Sequence, residues 1–347
     1  MDGSAEAEAQ IRFPFAVPPA VGEATEVAPG VLWMRLPLPM KLDHVNAYAL
    51  DDGDAWTLVD TGVATSETKA IWDGLLSGPL GGRPVARIIV THHHPDHVGM
   101  AGWLMERTGA PLLMTRTAWL YARMLTLDVQ ERPTAEAMTF YRAGGMAPEL
   151  LAKRAASRPM NFADCVVPLP LGFQRLAEGD RLKMGGREWA VRTGHGHAPE
   201  HATFWAEDIA LVGDQILPGI SSNLGVYPTE PEADTVTDWL ESCRRLRTAS
   251  KDELVLPGHN LPFRGVRPRL DQLIENHDAA LARLLDALET PRTAAECFDA
   301  LYRRPIGAGE YGLALAEAVG HVNHLHALGR LKRERRDDGA WLWHRVD

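Results

Sequence analysis

Thr91-His92-His93-His94-Pro95-Asp96-His97 follows the apolar run Arg87-Ile88-Ile89-Val90, and these eleven residues decide how the chain reads. Arg87–Val90 has the β-branched character of a short buried strand. In extended chain leaving a strand, residues i and i+2 point the same way, so His92 and His94 can share one cation. Pro95 suits the first turn of a helix, which swings Asp96 and His97 towards a second position nearby. The loop thus supplies half the ligands of a dinuclear site. His93 points away from its neighbours and reads as a hydrogen-bonded structural histidine.

Outward from this loop, the remaining ligand candidates also end strands, where open α/β sheets collect functional groups. Thr193-Gly194-His195-Gly196-His197-Ala198-Pro199-Glu200-His201 follows EWAVR, Leu211-Val212-Gly213-Asp214 ends another run, and Leu256-Pro257-Gly258-His259 a third. Of fourteen histidines, four fall in residues 92–97 and three in 195–201, a clustering that points to metal. VLWMRLPL, VNAYAL and WTLVD read as strands, with Asp51-Asp52-Gly53-Asp54 as a turn. Ser66–Leu76 has helical spacing with Thr65 or Ser66 as cap. Residues 116–164 break the rhythm with helical stretches rich in Met, Tyr and Leu, a packed insertion or an apolar lid. After about residue 265 three helices and a hairpin suggest a small winged-helix-like module, with Thr293 and Glu296 as a capping box.

At 347 residues, with 45% hydrophobic and 24% charged content, the chain is expected to form one large domain and a smaller appendage. A formal charge of −10 argues against a dedicated nucleic-acid binder. Residues 265–347 carry twelve Lys/Arg against thirteen Asp/Glu, so the run Lys332-Arg333-Glu334-Arg335-Arg336 reads as a solvated turn. Three scattered cysteines fit neither a disulfide framework nor a zinc knuckle, and no apolar run spans a bilayer, so a cytoplasmic chain without membrane contact is expected. His321, His324 and His326 read as packing or surface residues of a helix.

HxHxDH, GHxxxH, GDxxL and PGH in this order resemble the metallo-β-lactamase-fold hydrolases, as does Val59-Asp60-Thr61-Gly62 ahead of them. Finer detail resembles the glyoxalase-II-like branch that includes human lactamase-like protein 2, an endoribonuclease with a winged-helix-like tail. The resemblance implies an α/β fold, an αββα sandwich with a helical insertion at about 116–164. It divides the chain into a lead-in (1–29), a catalytic domain (30–265) and a C-terminal winged-helix-like domain (266–347). It also implies two divalent ions, zinc by default and Fe or Mn by ligand chemistry. One would take His92, His94 and His197; the other Asp96, His97 and His259; Asp214 would bridge them with a hydroxide. Asp60 resembles the carboxylate that orients a ligand histidine through its other ring nitrogen. His195 competes with His197 as third ligand, and alignment of His-Ala-Pro-Glu-His with His-Thr-Pro-Gly-His favours His197. His201 reads as structural or pocket-lining.

The expected activity is hydrolysis of a small-molecule thioester, lactone or other carboxylic ester, with Asp96 passing a proton to the leaving group. Cleavage of single-stranded RNA is the alternative. Substrate contacts are expected from Tyr121, Met124 and Tyr141, or from Ser221, Asn223 and Tyr227. The tail is expected to pack on the metal domain, narrow the pocket or support a homodimer.

Overall fold

A computed structural model describes residues 10–346, so the first nine residues of the expected tail lie outside the described residues. The chain divides into two compact units. The first comprises the chain up to Val129, Asn161–Ser222 and Arg247–Arg269; the second comprises Gln130–Met160, Asn223–Leu246 and the chain from Leu270.

In the first unit, seven strands form one sheet in sequence order: β1 (Ala24–Ala28), β2 (Val31–Pro37), β3 (His44–Asp51), β4 (Trp56–Val59), β5 (Val85–Ile89), β6 (Leu112–Thr115) and β7 (Gln174–Leu176). Pairing is antiparallel from β1 to β4 and parallel from β4 to β7. A second sheet runs β12-β11-β10-β9-β8, built from β8 (Arg181–Met184), β9 (Arg187–Gly194), β10 (His201–Trp205), β11 (Ile209–Gly213) and β12 (Leu254–Pro257). β1 lies in the stretch read as lead-in. Its sequence ATEVA has a single large apolar residue, too little for a strand signal, and it is held as an edge by pairing with β2.

Strand alternation explains why the first sheet is buried on both faces. Trp33, Tyr48, Leu50, Val59 and Ile89 meet Trp189, Val191, Phe204, Leu211 and Leu256 of the second sheet in one core. The intervening Met34, Leu36, Ala47, Ala49, Leu58 and Ile88 face the other way. There they meet Trp72 and Leu75 of the helix Ser66–Ser77, Leu104 of Ala101–Thr108, and Ala118 and Ala122 of Arg116–Leu127. Thr65 caps the first of these helices, its side chain accepting from Thr68 N at 3.0 Å. The helical stretch after the histidine loop is two helices, Pro95–Val98 and Ala101–Thr108, parted at Gly99-Met100.

The second unit holds the helices Ala135–Ala143, Pro148–Ala156, Phe298–Tyr302 and Tyr311–Ala327, and most of Thr235–Ala249 and Val266–Ala287. Thr293 and Glu296 make the reciprocal pair of a capping box, Thr293 N to Oε2 at 2.7 Å and Glu296 N to Oγ1 at 3.3 Å. β13 (Leu331–Arg335) and β14 (Trp341–Arg345) form the hairpin. Part of the expected basic turn is therefore strand, and Arg333 and Arg335 each lie 4.5 Å over the Trp341 ring. Among the described residues no helix is long and apolar enough to cross a membrane.

Candidate metal centre

Four strand ends bring the candidate ligands together in the first unit. His92, His94, Asp96 and His97 follow β5, with Pro95 opening the short helix that carries Asp96 and His97. His197 follows β9, Asp214 follows β11, and His259 follows β12. His92 Nε2 lies 2.9 Å from His94 Nδ1, which lies 3.0 Å from His197 Nε2. Beside them, His97 Nε2 is 3.3 Å from Asp214 Oδ1 and 3.6 Å from Asp96 Oδ2. His259 Nε2 is 3.1 Å from Asp214 Oδ2 and 3.3 Å from Asp96 Oδ2. Asp214 Oδ2 also reaches to 3.6 Å of His197 Nε2, so this carboxylate touches both sets. His92–His94–His197 and Asp96–His97–His259 are each clustered tightly enough to hold an ion.

The outward-facing nitrogens fix how these rings present themselves. His97 Nδ1 donates to Asp60 Oδ2 at 2.8 Å, and Asp60 Oδ1 accepts from Thr91 N at 2.8 Å. Asp60 holds this position with φ 60°, a left-handed conformation that costs energy for a non-glycine residue. His259 Nδ1 donates to the His44 carbonyl at 2.7 Å. Each ring is thereby held with Nε2 facing inward. The turn that carries His259 is braced by Asn46 Nδ2, which donates to the Pro257 and Asn260 carbonyls at 2.9 Å each, and by Tyr48 Oη, which donates to Pro257 O at 2.8 Å. Trp33 Nε1 orients Asn46 by donating to its Oδ1 at 2.8 Å. Sequence reading passed over His44, Asn46 and Tyr48; a polar residue inside the apolar run VNAYAL was their signal.

Gly258 shows how tightly the groups are set, because a Cβ there would lie 2.1 Å from Asp214 Oδ1 and 2.7 Å from His97 Cε1.

The electrostatics suit cations. Burial, reinforced by neighbouring imidazoles, holds His92 and His94 well below the ordinary histidine range, so both imidazoles are neutral, the form that can ligate a cation. Burial opposes charge on Asp214, yet His259 and His97 keep its carboxyl well below the usual range. Burial likewise opposes charge on His259, and Asp214 and Asp96 overcome it, raising the imidazole to about 10. Buried His97 Nε2 and Asp214 Oδ1 face one another without hydrogen-bond geometry. Nitrogens bound tetrahedrally at about 2.05 Å from zinc lie roughly 3.3 Å apart, within a few tenths of an ångström of the separations seen here. Nitrogen and oxygen donors, unsatisfied buried atoms and a glycine cradle all fit divalent ions.

The other expected residues fall elsewhere. His195 Nδ1 accepts from Glu200 N at 3.3 Å, apart from the nitrogen group that His197 joins. His201 stacks on His92 at 4.5 Å and accepts from Asp214 N at 3.1 Å. His93 is buried between Tyr121, 5.3 Å away, and Phe162, and burial lowers it to about 3. Its Nδ1 makes no hydrogen bond. Met124 is exposed and Ser221 lies on the loop after Asp214, while Tyr141, Asn223 and Tyr227 belong to the second unit. There Asn223 Nδ2 donates to Glu317 Oε2 at 3.1 Å. His321 and His324 are buried in the helix Tyr311–Ala327, bonded to Glu317 O and to Asp234, and His326 bonds Leu331 O.

Residues 40–259 match the metallo-beta-lactamase superfamily, and residues 281–346 match the metallo-beta-lactamase-like C-terminal domain. A probable metallo-hydrolase, YqjP, of Bacillus subtilis (strain 168) is 27% identical over 86% of this chain and 92% of its own length. A hydroxyacylglutathione hydrolase of Cereibacter sphaeroides (strain ATCC 17025 / ATH 2.4.3) is 24% identical over 85% of this chain and 99% of its own. The crystal structure of a beta-lactamase domain protein from Burkholderia ambifaria is 38% identical, covers 98% of this chain and 100% of that one, and superposes with a TM-score of 0.89. Motifs, two-sheet sandwich and matched length agree, and the chain belongs to the metallo-beta-lactamase superfamily.

Proposed function

We propose that the protein is a hydrolase of small-molecule thioesters, lactones or other carboxylic esters, working with two divalent ions, zinc by default. His92, His94 and His197 would hold one, Asp96, His97 and His259 the other, with Asp214 shared. The observation that carries this reading is the position of Asp214, whose Oδ2 lies 3.1 Å from His259 Nε2 and 3.6 Å from His197 Nε2. When bound, such a pair supplies water acidified to near-neutral pKa and positive charge opposite a developing oxyanion.

The chain's own groups do the rest. His97 and His259 keep their protons on Nδ1, against Asp60 and the His44 carbonyl, leaving each Nε2 as a donor of electrons. The Asp96 side chain is 23% exposed against 8% for Asp214, so Asp96 is the more accessible of the two carboxylates. It is the group placed to carry a proton to the departing thiolate or alkoxide. The thioester reading is supported by the similarity to a hydroxyacylglutathione hydrolase over nearly that protein's whole length, because an acylglutathione is a thioester. The acidic charge of −10 favours a small acyl compound over a polyanion. Cys165, Cys243 and Cys297 form no disulfide, which supports a reducing, cytoplasmic setting.

The test is a parallel assay of zinc-loaded protein on a panel of acyl thioesters and on labelled single-stranded RNA, with Asp214→Ala as control. Thiol release that vanishes in the control is expected. RNA cleavage without thiol release would replace the acyl substrate with a phosphodiester.

A further inference from the structure

We infer that Ser222, His201 and Arg269 are positioning residues that fix the shared carboxylate of Asp214 by holding its backbone, an inference that rests on the dinuclear reading above. Asp214 leaves β11 directly after Gly213, whose φ is +48° and whose missing Cβ leaves room for His201 Cε1 at 2.7 Å. From Asp214 to Ser222 the chain has no regular helix or strand to hold it, so the carboxylate's place depends on side chains that bind this loop.

Three do so. The peptide N–H of Asp214 donates to His201 Nε2 at 3.1 Å, and its carbonyl accepts from Ser222 Oγ, which closes the loop on its own start. Arg269, only 6% exposed, donates from Nε to the Leu217 carbonyl at 2.6 Å and from a terminal nitrogen to the Ile220 carbonyl at 2.9 Å. Ser222 is buried as well. All these bonds go to main chain, so the side chain of Asp214 stays free for ligation while its Cα is held from both directions. His201 also stacks on His92, ring planes 22° apart, which ties the loop to the other ion's ligands. A buried carbonyl or N–H left unpaired is costly, so loss of any one partner drives the loop to rearrange.

The experiment titrates cobalt(II) into metal-stripped wild type, Ser222→Ala, Ser222→Thr and Arg269→Met, following visible absorption and binding heat. Groups that support ligands from behind set metal affinity by about 10–100-fold. Ser222→Ala and Arg269→Met are therefore expected to weaken the second cobalt equivalent by that factor and to shift its absorption band. Ser222→Thr, which keeps the hydroxyl, should restore both. Lower thermal stability with two unchanged cobalt equivalents in Ser222→Ala would make these residues structural only and overturn the inference. If Arg269→Met does not fold, Ser222→Ala, which removes a single oxygen, decides. Wild type binding only one equivalent would instead refute the dinuclear reading itself.

Discussion

Gly258→Ala adds one methyl group at the point where the centre has least room. The backbone there is not left-handed, so alanine meets no φ penalty and the whole effect is steric. A carbon and a carboxylate oxygen in contact need about 3.2–3.4 Å, close to ordinary van der Waals packing, whereas the new Cβ would stand 2.1 Å from Asp214 Oδ1. Asp214 must retreat by more than 1 Å, or the 257–259 turn must lift and take His259 with it. Overpacking of this kind costs about 1–3 kcal/mol of stability, and a 1 Å misplacement of a reacting group costs on the order of 100-fold in rate. Gly219→Ala on the neighbouring loop is the control, because a Cβ there meets nothing within 4 Å. Metal titration by calorimetry, thermal melting and thioester turnover should separate the two variants: Gly258→Ala loses affinity for one ion and about 100-fold in kcat, and Gly219→Ala matches wild type. A Gly258→Ala protein that binds both ions with wild-type affinity would refute the claim that this glycine makes room for the shared carboxylate.

The metal-free protein should lose thermal stability as pH rises. His259 is raised from 6.5 to about 10 in the folded state, so its contribution is complete below pH 6.5 and is lost as pH climbs through 10. Melting temperatures of chelator-treated protein across that window check the sign, and bound ions should abolish the trend. Metal uptake at neutral pH should release protons, because His97 and His259 must give them up; binding heats in buffers of different ionisation enthalpy read the number. Asp60→Asn should weaken metal binding about 10–100-fold by loosening the His97 tautomer, measured by competition with a chromophoric chelator. Phe204→Ala, fully buried between the sheets, should cost about 3–5 kcal/mol in urea unfolding.

The centre was legible because its residues are chemically conspicuous and end strands whose apolar runs are plain. Spacing alone placed His92 and His94 on one side of an extended loop, and the structure shows their nitrogens 2.9 Å apart. What escaped was the scaffolding that works through main-chain atoms. His44 contributes a carbonyl and Arg269 grips two others, and a carbonyl has no signature in sequence because every residue has one. β1 escaped for a related reason: an edge strand needs pairing with its neighbour more than it needs apolar side chains. The second unit was readable element by element, through Thr293 and Glu296 or the alternating Arg333, Arg335, Trp341 and Trp343, since caps and hairpins are local.

The first sheet follows chain order strand by strand, and all but one of its neighbours are laid down before residue 116. Its antiparallel part, β1 to β4, closes through short loops and can assemble early. The centre cannot, since His197, Asp214 and His259 come from the second sheet, far along the chain. Its ions would therefore join the two sheets like a late-fastened clasp. Chelation should then loosen the seam between the sheets ahead of either sheet's interior, and hydrogen exchange in β11 and β12 would record that order.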